Sequence, residues 1–207
     1  MGRPRDTRVD EAILAATREL LARHGYAGLT VDAVAEHAGI GKAAIYRRYA
    51  TKQEMVFAAA VHRSDLAPPP DTGSLRGDLT CLVEDIVATL GNPAASSAVL
   101  GLLADLGAPS ALADRFHASF VTSQRAVVAE LMDRAVARGE LGAPPDVDLV
   151  HALLAGPVFA TLYLQRRRPD GLAERLGRMV AETLRLEDRA AGHGGHATGS
   201  AAGSTTA

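Results

Sequence analysis

The sequence predicts an all-α protein: a compact three-helix unit at the N-terminus, then a longer helical domain. Three observations lead there. Apolar residues make up 47% of the 207 positions, yet aromatics are only 4% and Trp is absent. Ala and Leu, both strong helix formers, dominate the apolar set, whereas a β-sandwich or barrel draws on more aromatic and β-branched side chains. Apolar positions also recur at helical spacing in one segment after another, and the breaks between them hold Gly, Pro and capping residues.

Composition excludes several classes. Lys plus Arg is 22 and Asp plus Glu is 24, a net charge of -2, so the whole chain is no basic coat for nucleic acid, although a local basic face remains open. Cys81 is the single cysteine, which excludes an internal disulfide and a cysteine-rich zinc site. His193 and His196 lie in a Gly-rich stretch and make no argument for a metal; neither metal nor cofactor is expected. The opening MGRPRDTRVD leads into no signal-like apolar run, and no 18 consecutive residues are apolar, so the expected location is cytoplasmic, with no membrane span.

Residues 1–9 read as a flexible basic arm with Arg3, Arg5 and Arg8. A first helix follows from Asp10 to Gly25, with Ile13, Leu14, Ala16, Leu20 and Leu21 on its apolar face and Gly25 as its stop. Thr30 is placed to cap a short helix through Ala38, whose inner face is Val31, Val34, Ala35 and Ala38. Gly39, Ile40 and Gly41 make a turn, and 42–49 forms another short helix with Ile45 and Tyr49 inward. Thr51 with Glu54 is a capping box for a helix reaching about Asp65. LAPPPDTGS then forbids helix.

Beyond that break, 75–90 and 94–106 are helical, joined by the turn Gly91-Asn92-Pro93. Ser110 caps the longest expected helix, 111–138, with Phe116, Phe120, Val127, Val128, Leu131, Met132 and Ala135 as its stripe. The segment 147–165 is apolar on nearly every side and should kink at Pro157. A final helix spans 172–186, and 190–207, rich in Gly, Ser and Thr, reads as a disordered tail. The resulting organisation is arm 1–9, N-terminal unit 10–60, helical domain 61–189 and tail 190–207.

Two short helices joined by three residues that include a Gly, after a longer helix, have the arithmetic of a helix-turn-helix. Its second helix fits a DNA major groove. Lys42 and Arg47 carry donors that reach guanine edges, and Ala43 and Ala44 permit close approach or meet a thymine methyl. Tyr46 and Lys52 suit phosphate oxygens. The charge asymmetry agrees in sign: residues 1–55 hold 9 basic against 7 acidic side chains, leaving 13 against 17 in the rest. Spacing alone leaves other readings open. The same helix pair occurs in ordinary bundles, Arg47 and Arg48 fit a solvated face, and Tyr46 fits rim packing as well as phosphate contact.

The run 12–60 resembles the DNA-binding domain of the TetR family of bacterial transcriptional regulators. The resemblance is carried by AATRELL at 15–21, G-Y-x-x-x-T at 25–30, V-A-x-x-A-G-I at 34–40, I-Y-x-x-Y at 45–49 and K-x-x-M at 52–55, in that order. It covers near a quarter of the chain. It implies base contacts from Lys42, Ala43, Ala44 and Arg47, and phosphate contacts from Thr30, Tyr46, Arg48 and Lys52. It also implies a double-stranded DNA operator as partner. Gly41, Ala43 and Ala44 stand where Ser, Gly and Thr are common, and Arg48 replaces a frequent His, so the operator sequence does not carry over. Gly41 in a first turn would also cost helix propensity.

LLAGPVFATLYL at 153–164 resembles the penultimate helix of one large subgroup, whose last two helices form the dimer interface. A homodimer through 147–165 and 170–186 is therefore expected; the alternative is a helix central in its own bundle. A small-molecule effector site is expected within 75–165, mostly apolar. Its candidate lining is Cys81, Leu82, Ile86, Leu103, Phe116, His117, Phe120, Phe159, Thr161 and Tyr163, each of which also fits ordinary core or surface. The combined expectation is an N-terminal three-helix DNA-binding domain containing a helix-turn-helix, followed by a helical ligand-binding and dimerisation domain. Its function would be a repressor released from a near-palindromic operator by a mostly apolar molecule. A regulator without ligand, or an activator, stands as the alternative. An enzyme is disfavoured, because H-E-x-x-H, Walker and G-x-S-x-G patterns are missing from the sequence and no catalytic residue is proposed.

Overall fold

The computed structural model describes residues 7–60, 67–106, 114 and 121–194, with side chains through residue 190. Among them are helices and no strand, as the composition predicts. In chain order the helices are α1 (Thr7–Gly28), α2 (Val31–Ala38), α3 (Lys42–Tyr46), α4 (Lys52–Ala60), α5 (Leu75–Gly91), α6 (Pro93–Leu106), α7 (Thr122–Ala137), α8 (Val147–Phe159, continued by one π-helical turn, Ala160–Leu164) and α9 (Leu172–Gly194).

Local chemistry accounts for most of the helix ends. Thr30 accepts the Ala33 amide at 3.1 Å, Ser74 accepts that of Gly77 at 3.1 Å, and Asp146 accepts those of Asp148 and Leu149. At the start of α4, Thr51 accepts the Glu54 amide at 3.1 Å, while the Glu54 carboxylate reaches back to the Ala50 amide at 2.7 Å. The capping box is thus present, closed one residue further back than the standard pattern. Gly91-Asn92-Pro93 bends α5 against α6 by 82°. Asn92 Oδ1 accepts the Ala95 amide, and Pro93 takes the first helical position, where no amide hydrogen is needed.

Two cores result. In the second domain α5, α7, α8 and α9 bury Leu79, Val83, Leu131, Met132, Leu154 and Ala181 against one another. In the first, α1, α2, α3 and α4 bury Ile13, Leu21, Val34, Ile45, Met55 and Val56. That core also contains Ala94, Ala95, Ala98, Val99 and Leu102, all from α6. One long helix and three short ones have too little interior to exclude water on their own, and α6 completes them.

Several boundaries differ from expectation for identifiable reasons. α1 begins at Thr7, inside the expected arm, because Val9 packs against the first core and Asp10 pairs with Arg48. It breaks at Gly25 as expected (φ 67, ψ 178), then makes one more turn to Gly28. α3 stops at Tyr46 instead of running to 49: the amides of Arg48 and Tyr49 both donate to the Ile45 carbonyl, which tightens the last turn. α9 runs on to Gly194, so 190–194, expected in a disordered tail, continue the helix through Ala190 and Ala191. Pro157 lies inside α8, and the irregularity it causes appears three residues later as the π turn. α4 is described to Ala60 and α7 from Thr122, so the expected helix to Asp65 and the start of the expected helix 111–138 lie outside the described residues.

One polar knot escaped sequence reasoning. Asp78 is fully buried, and it accepts the Thr72 amide (2.8 Å), the Thr72 hydroxyl (2.6 Å) and Arg138 Nη2 (2.9 Å). Arg138 also pairs with Asp71 and Glu140, and Glu140 accepts the Leu75 amide and pairs with Arg185. The proline-rich segment is thereby tied to α7 and α9.

Candidate nucleic-acid interface

The helix pair α2 and α3 is set by its turn. Gly39 ends α2 in the left-handed region (φ 65, ψ 31), with its amide directed at Ala35 and Glu36, and the Ile40 amide donates to the Ala35 carbonyl at 3.0 Å. No atom would crowd a side chain at Gly39, so the backbone angle alone demands glycine. Gly41 is the N-cap of α3 and lies outside its first turn, in extended backbone (φ -65, ψ 140). The propensity cost expected for it falls away, because glycine is tolerated at an N-cap.

Ile45 points into the core, which turns the rest of α3 outward. Lys42, Ala43, Tyr46 and Arg47 are exposed, Tyr46 at 51%, and Ala44 is half-buried beside them. Lys42 pairs across to Asp32, in the first turn of α2. Both partners are more than half exposed, so the pair contributes little and opens readily to another anion. Thr30 is exposed at the N-terminus of α2, where free amides and the helix dipole favour a phosphate.

The two remaining phosphate candidates are engaged inside the protein. Arg48 pairs with Asp10 at 2.7 Å and is four-fifths buried. Lys52 donates to the Tyr26 carbonyl at 2.7 Å, and its ammonium lies 4.6 Å from the centre of the Tyr26 ring. Both sit at the edge of the face and first serve to hold α1 against α3 and α4.

Tyr26 is the residue that sequence reasoning missed. Its hydroxyl donates to Asp105 at the end of α6, and Gln53 donates to the same carboxylate at 3.0 Å. Burial, reinforced by the Asp105 carboxylate, pushes the Tyr26 hydroxyl well above its ordinary range, so it stays a donor. Its ring lies against Gly101, where a Cβ would come within 2.3 Å of a ring carbon. The partners are 79 residues apart in sequence, so no local pattern announces them.

The effector candidates are dispersed among the described residues. Leu82 is buried in the second core, with Ile86 packed against it and Cys81 half-buried nearby. Burial pushes the Cys81 thiol up, and Glu84, Asp78 and Asp85 add to this, so it is a poor nucleophile. Phe159 and Tyr163 stack with ring centroids 5.0 Å apart and lean on the first core, and the Tyr163 hydroxyl donates to the Leu90 carbonyl at 2.7 Å. Leu103 is exposed. Thr161 lines a solvent-open cavity at the end of α8, alone among the described candidates. Phe116, His117 and Phe120 lie outside the described residues.

α8 and α9 leave apolar surface bare. Leu149, Leu153 and Leu164 on the α8 segment and Met179 and Leu186 on α9 are exposed, Leu164 at 70% and Met179 at 59%. The stretch Val147–Leu164 is long and apolar enough to cross a membrane by length and composition, although Asp148 and His151 interrupt its apolar run, and only 17% of it is buried. Val150, Leu154 and Val158 pack inward on the second core, so this segment is one wall of a bundle with its other side uncovered.

Comparison with known proteins accords with this architecture. Residues 13–59 match the family described as bacterial regulatory proteins, tetR family, and residues 69–182 match the tetracyclin repressor-like C-terminal domain. The uncharacterized HTH-type transcriptional regulator Rv1556 of Mycobacterium tuberculosis is 37% identical over 80% of both chains. The DNA-binding transcriptional repressor TetR of Mycobacteroides abscessus is 29% identical over 84% of this chain and 90% of its own. Among solved structures, the TetR family transcription regulator SCO0332 superposes with a TM-score of 0.68 at 23% identity, over 84% of this chain and 97% of that one. FadR of Bacillus subtilis, solved in complex with stearoyl-CoA, superposes at 0.59 and 16% identity, over 84% and 96%. The two family matches meet across the proline break and span both cores, so the capped turn at Gly39 and the bundle behind it have one reading: the chain belongs to the TetR family of bacterial transcriptional regulators.

Proposed function

We propose that the protein is a homodimeric repressor that binds a near-palindromic operator through α3 and leaves it when a small, mostly apolar molecule binds the second domain. The observation that carries the reading is the outward face of α3. Lys42, Ala43, Tyr46 and Arg47 stand exposed on a helix whose one buried residue, Ile45, fixes its orientation. In this reading Lys42 and Arg47 read base edges, Ala43 and Ala44 let the backbone approach, and Thr30 and Tyr46 hold phosphates. Arg48 and Lys52 reach phosphates only by exchanging Asp10 and the Tyr26 carbonyl for DNA oxygens.

A single helix of five residues makes too few contacts for a specific site, and a two-fold dimer doubles them. The bare apolar stripe of α8 and α9 supports that assembly, since burying it in a four-helix contact removes Leu149, Leu153, Met179 and Leu186 from water. A neighbour of the same fold holding stearoyl-CoA supports a small-molecule effector in this architecture. The effector acts by favouring a different spacing of the two reading helices. Moving the population from 1:99 to 99:1 requires about 5.5 kcal/mol of differential binding.

The test is selection of genomic fragments with purified protein, followed by titration of the enriched DNA at fixed salt. The expected product is a near-palindrome. Arg47→Ala should lower discrimination at its base pair by about 1–3 kcal/mol, and Tyr46→Phe should weaken all sequences evenly. Binding without sequence preference would overturn the reading.

A further inference from the structure

The connection from α8 to α9 carries three consecutive arginines, Arg166, Arg167 and Arg168. The π turn closes with the Gln165 amide donating to the Ala160 carbonyl (2.8 Å) and the Arg167 amide to the Thr161 carbonyl (2.9 Å). Between them Arg166 takes the left-handed conformation (φ 53), the one non-glycine among the described residues to do so. Such a conformation is disfavoured for a side-chain-bearing residue and persists only where its surroundings impose it. Here it reverses the chain, so that Arg167 and Arg168 come beside the first turn of α9.

There they wall a cavity of about 320 Å³ with Arg175, Thr161, Gln165 and Asp170. Six other arginines find carboxylates, namely Arg23, Arg48, Arg125, Arg134, Arg138 and Arg185. Arg167, Arg168 and Arg175 have no ion pair among the described residues, although Asp170 shares their wall. Arg175, exposed like Arg167 and Arg168, donates Nε to the Gly171 carbonyl at 3.2 Å, which leaves its terminal nitrogens for another acceptor. Three guanidinium groups against one carboxylate leave a net positive cavity, and the N-terminus of the 23-residue α9 adds its dipole. Guanidinium forks match phosphate oxygens two at a time. The volume exceeds what a lone carboxylate needs.

We propose that this cavity binds the phosphate or pyrophosphate group of a small molecule, and that this molecule is the effector. The second half rests on the repressor reading above. Operator DNA is a poor source of the phosphate, because the cavity is walled by the α8–α9 connection and α9, while α3 belongs to the first core and packs on α2. The cavity has a route to that core. Thr161 in its wall belongs to the same π turn as Tyr163, whose hydroxyl holds the Leu90 carbonyl at the corner where α5 meets α6.

The experiment uses the full chain, with inorganic pyrophosphate as probe, titrated calorimetrically at constant ionic strength without DNA. Saturable binding of one pyrophosphate per protomer is expected. Arg167→Gln with Arg168→Gln should weaken it at least about tenfold, and Arg175→Gln alone should weaken it in the same direction. Arg178→Gln, which removes a charge from the exposed side of the same helix outside the cavity, should leave it unchanged. Absence of saturation, or equal weakening by Arg178→Gln, would overturn the site, because attraction would then follow net charge alone. Displacement of pyrophosphate by duplex DNA would overturn the small-molecule assignment. The variants' operator affinity is read in a separate titration. A protein that binds its operator but not pyrophosphate loses this site and keeps the repressor reading; one that binds pyrophosphate but no operator does the reverse.

Discussion

Asp78 has no surface exposed to water, yet its carboxyl is held below its ordinary range. Burial pushes it up, and the two Thr72 hydrogen bonds with the Arg138 guanidinium outweigh burial. Glu140, also pushed up by burial, is held down by the Leu75 amide, Arg138 and Arg185. A carboxyl depressed on folding contributes stability that is complete above its unfolded value and is lost as pH falls through the folded one. Urea unfolding between pH 7 and pH 3 should therefore show stability declining below about pH 4, with a shallower decline in Asp78→Asn. At pH 7, Asp78→Ala should cost about 3 kcal/mol, because Arg138 and the Thr72 amide lose a buried partner; an unchanged urea midpoint would show that the knot contributes nothing. Residues acting within one or two turns of chain were legible in sequence: Thr30 and Thr51 as caps, Gly39 as the turn. The pairs Asp78–Arg138 and Tyr26–Asp105 were not, since their members lie 60 and 79 residues apart and only packing brings them together.

Helix α6 shows the same limit for whole elements. Its bounds follow from Asn92, Pro93 and the apolar run to Leu106, and the structure agrees within a residue of the expectation. Its allegiance did not follow. Sequence order places it in the second domain, while its small residues Ala95 and Ala98 and Gly101 let it press against α1, where Tyr26 lies over Gly101. A side chain at 101 must push that ring off Asp105. Gly101→Val should destabilise the first core by about 1–3 kcal/mol. Amide hydrogen exchange should rise across α1 and α4 and stay unchanged in the α5–α9 pair; a uniform rise would mean that α6 is not a separate support. α3 was legible in its inward residue and overestimated in length, because period alone does not distinguish a helix from the tightened turn that ends it.

At the scale of the molecule, the all-α architecture and the order of its two parts were readable from periodicity, and the uncovered side of α8 was anticipated from an apolar helix with more faces than one bundle can cover, that of α9 from the family resemblance. Leu153→Asp with Met179→Asp places charges on that stripe without touching either core. The variant should sediment as a monomer, and half-saturation of the operator should need protein concentrations higher by at least about tenfold. A stable dimer in that variant would place the assembly surface elsewhere.

The shared ownership of α6 has a consequence for engineering. Exchange of DNA specificity between regulators treats the reader as a cassette excised at the linker, here the proline-rich 67–74. In this protein such a cut strips Ala94, Ala95, Ala98, Val99 and Leu102 from the reader's interior and leaves Tyr26 facing a foreign helix. The first core is built from two stretches, 7–60 and 93–106, and α5 is threaded between them. A chimera that keeps the native α6 against the native α1 exchanges a complete body, and one spliced at the prolines exchanges a fragment.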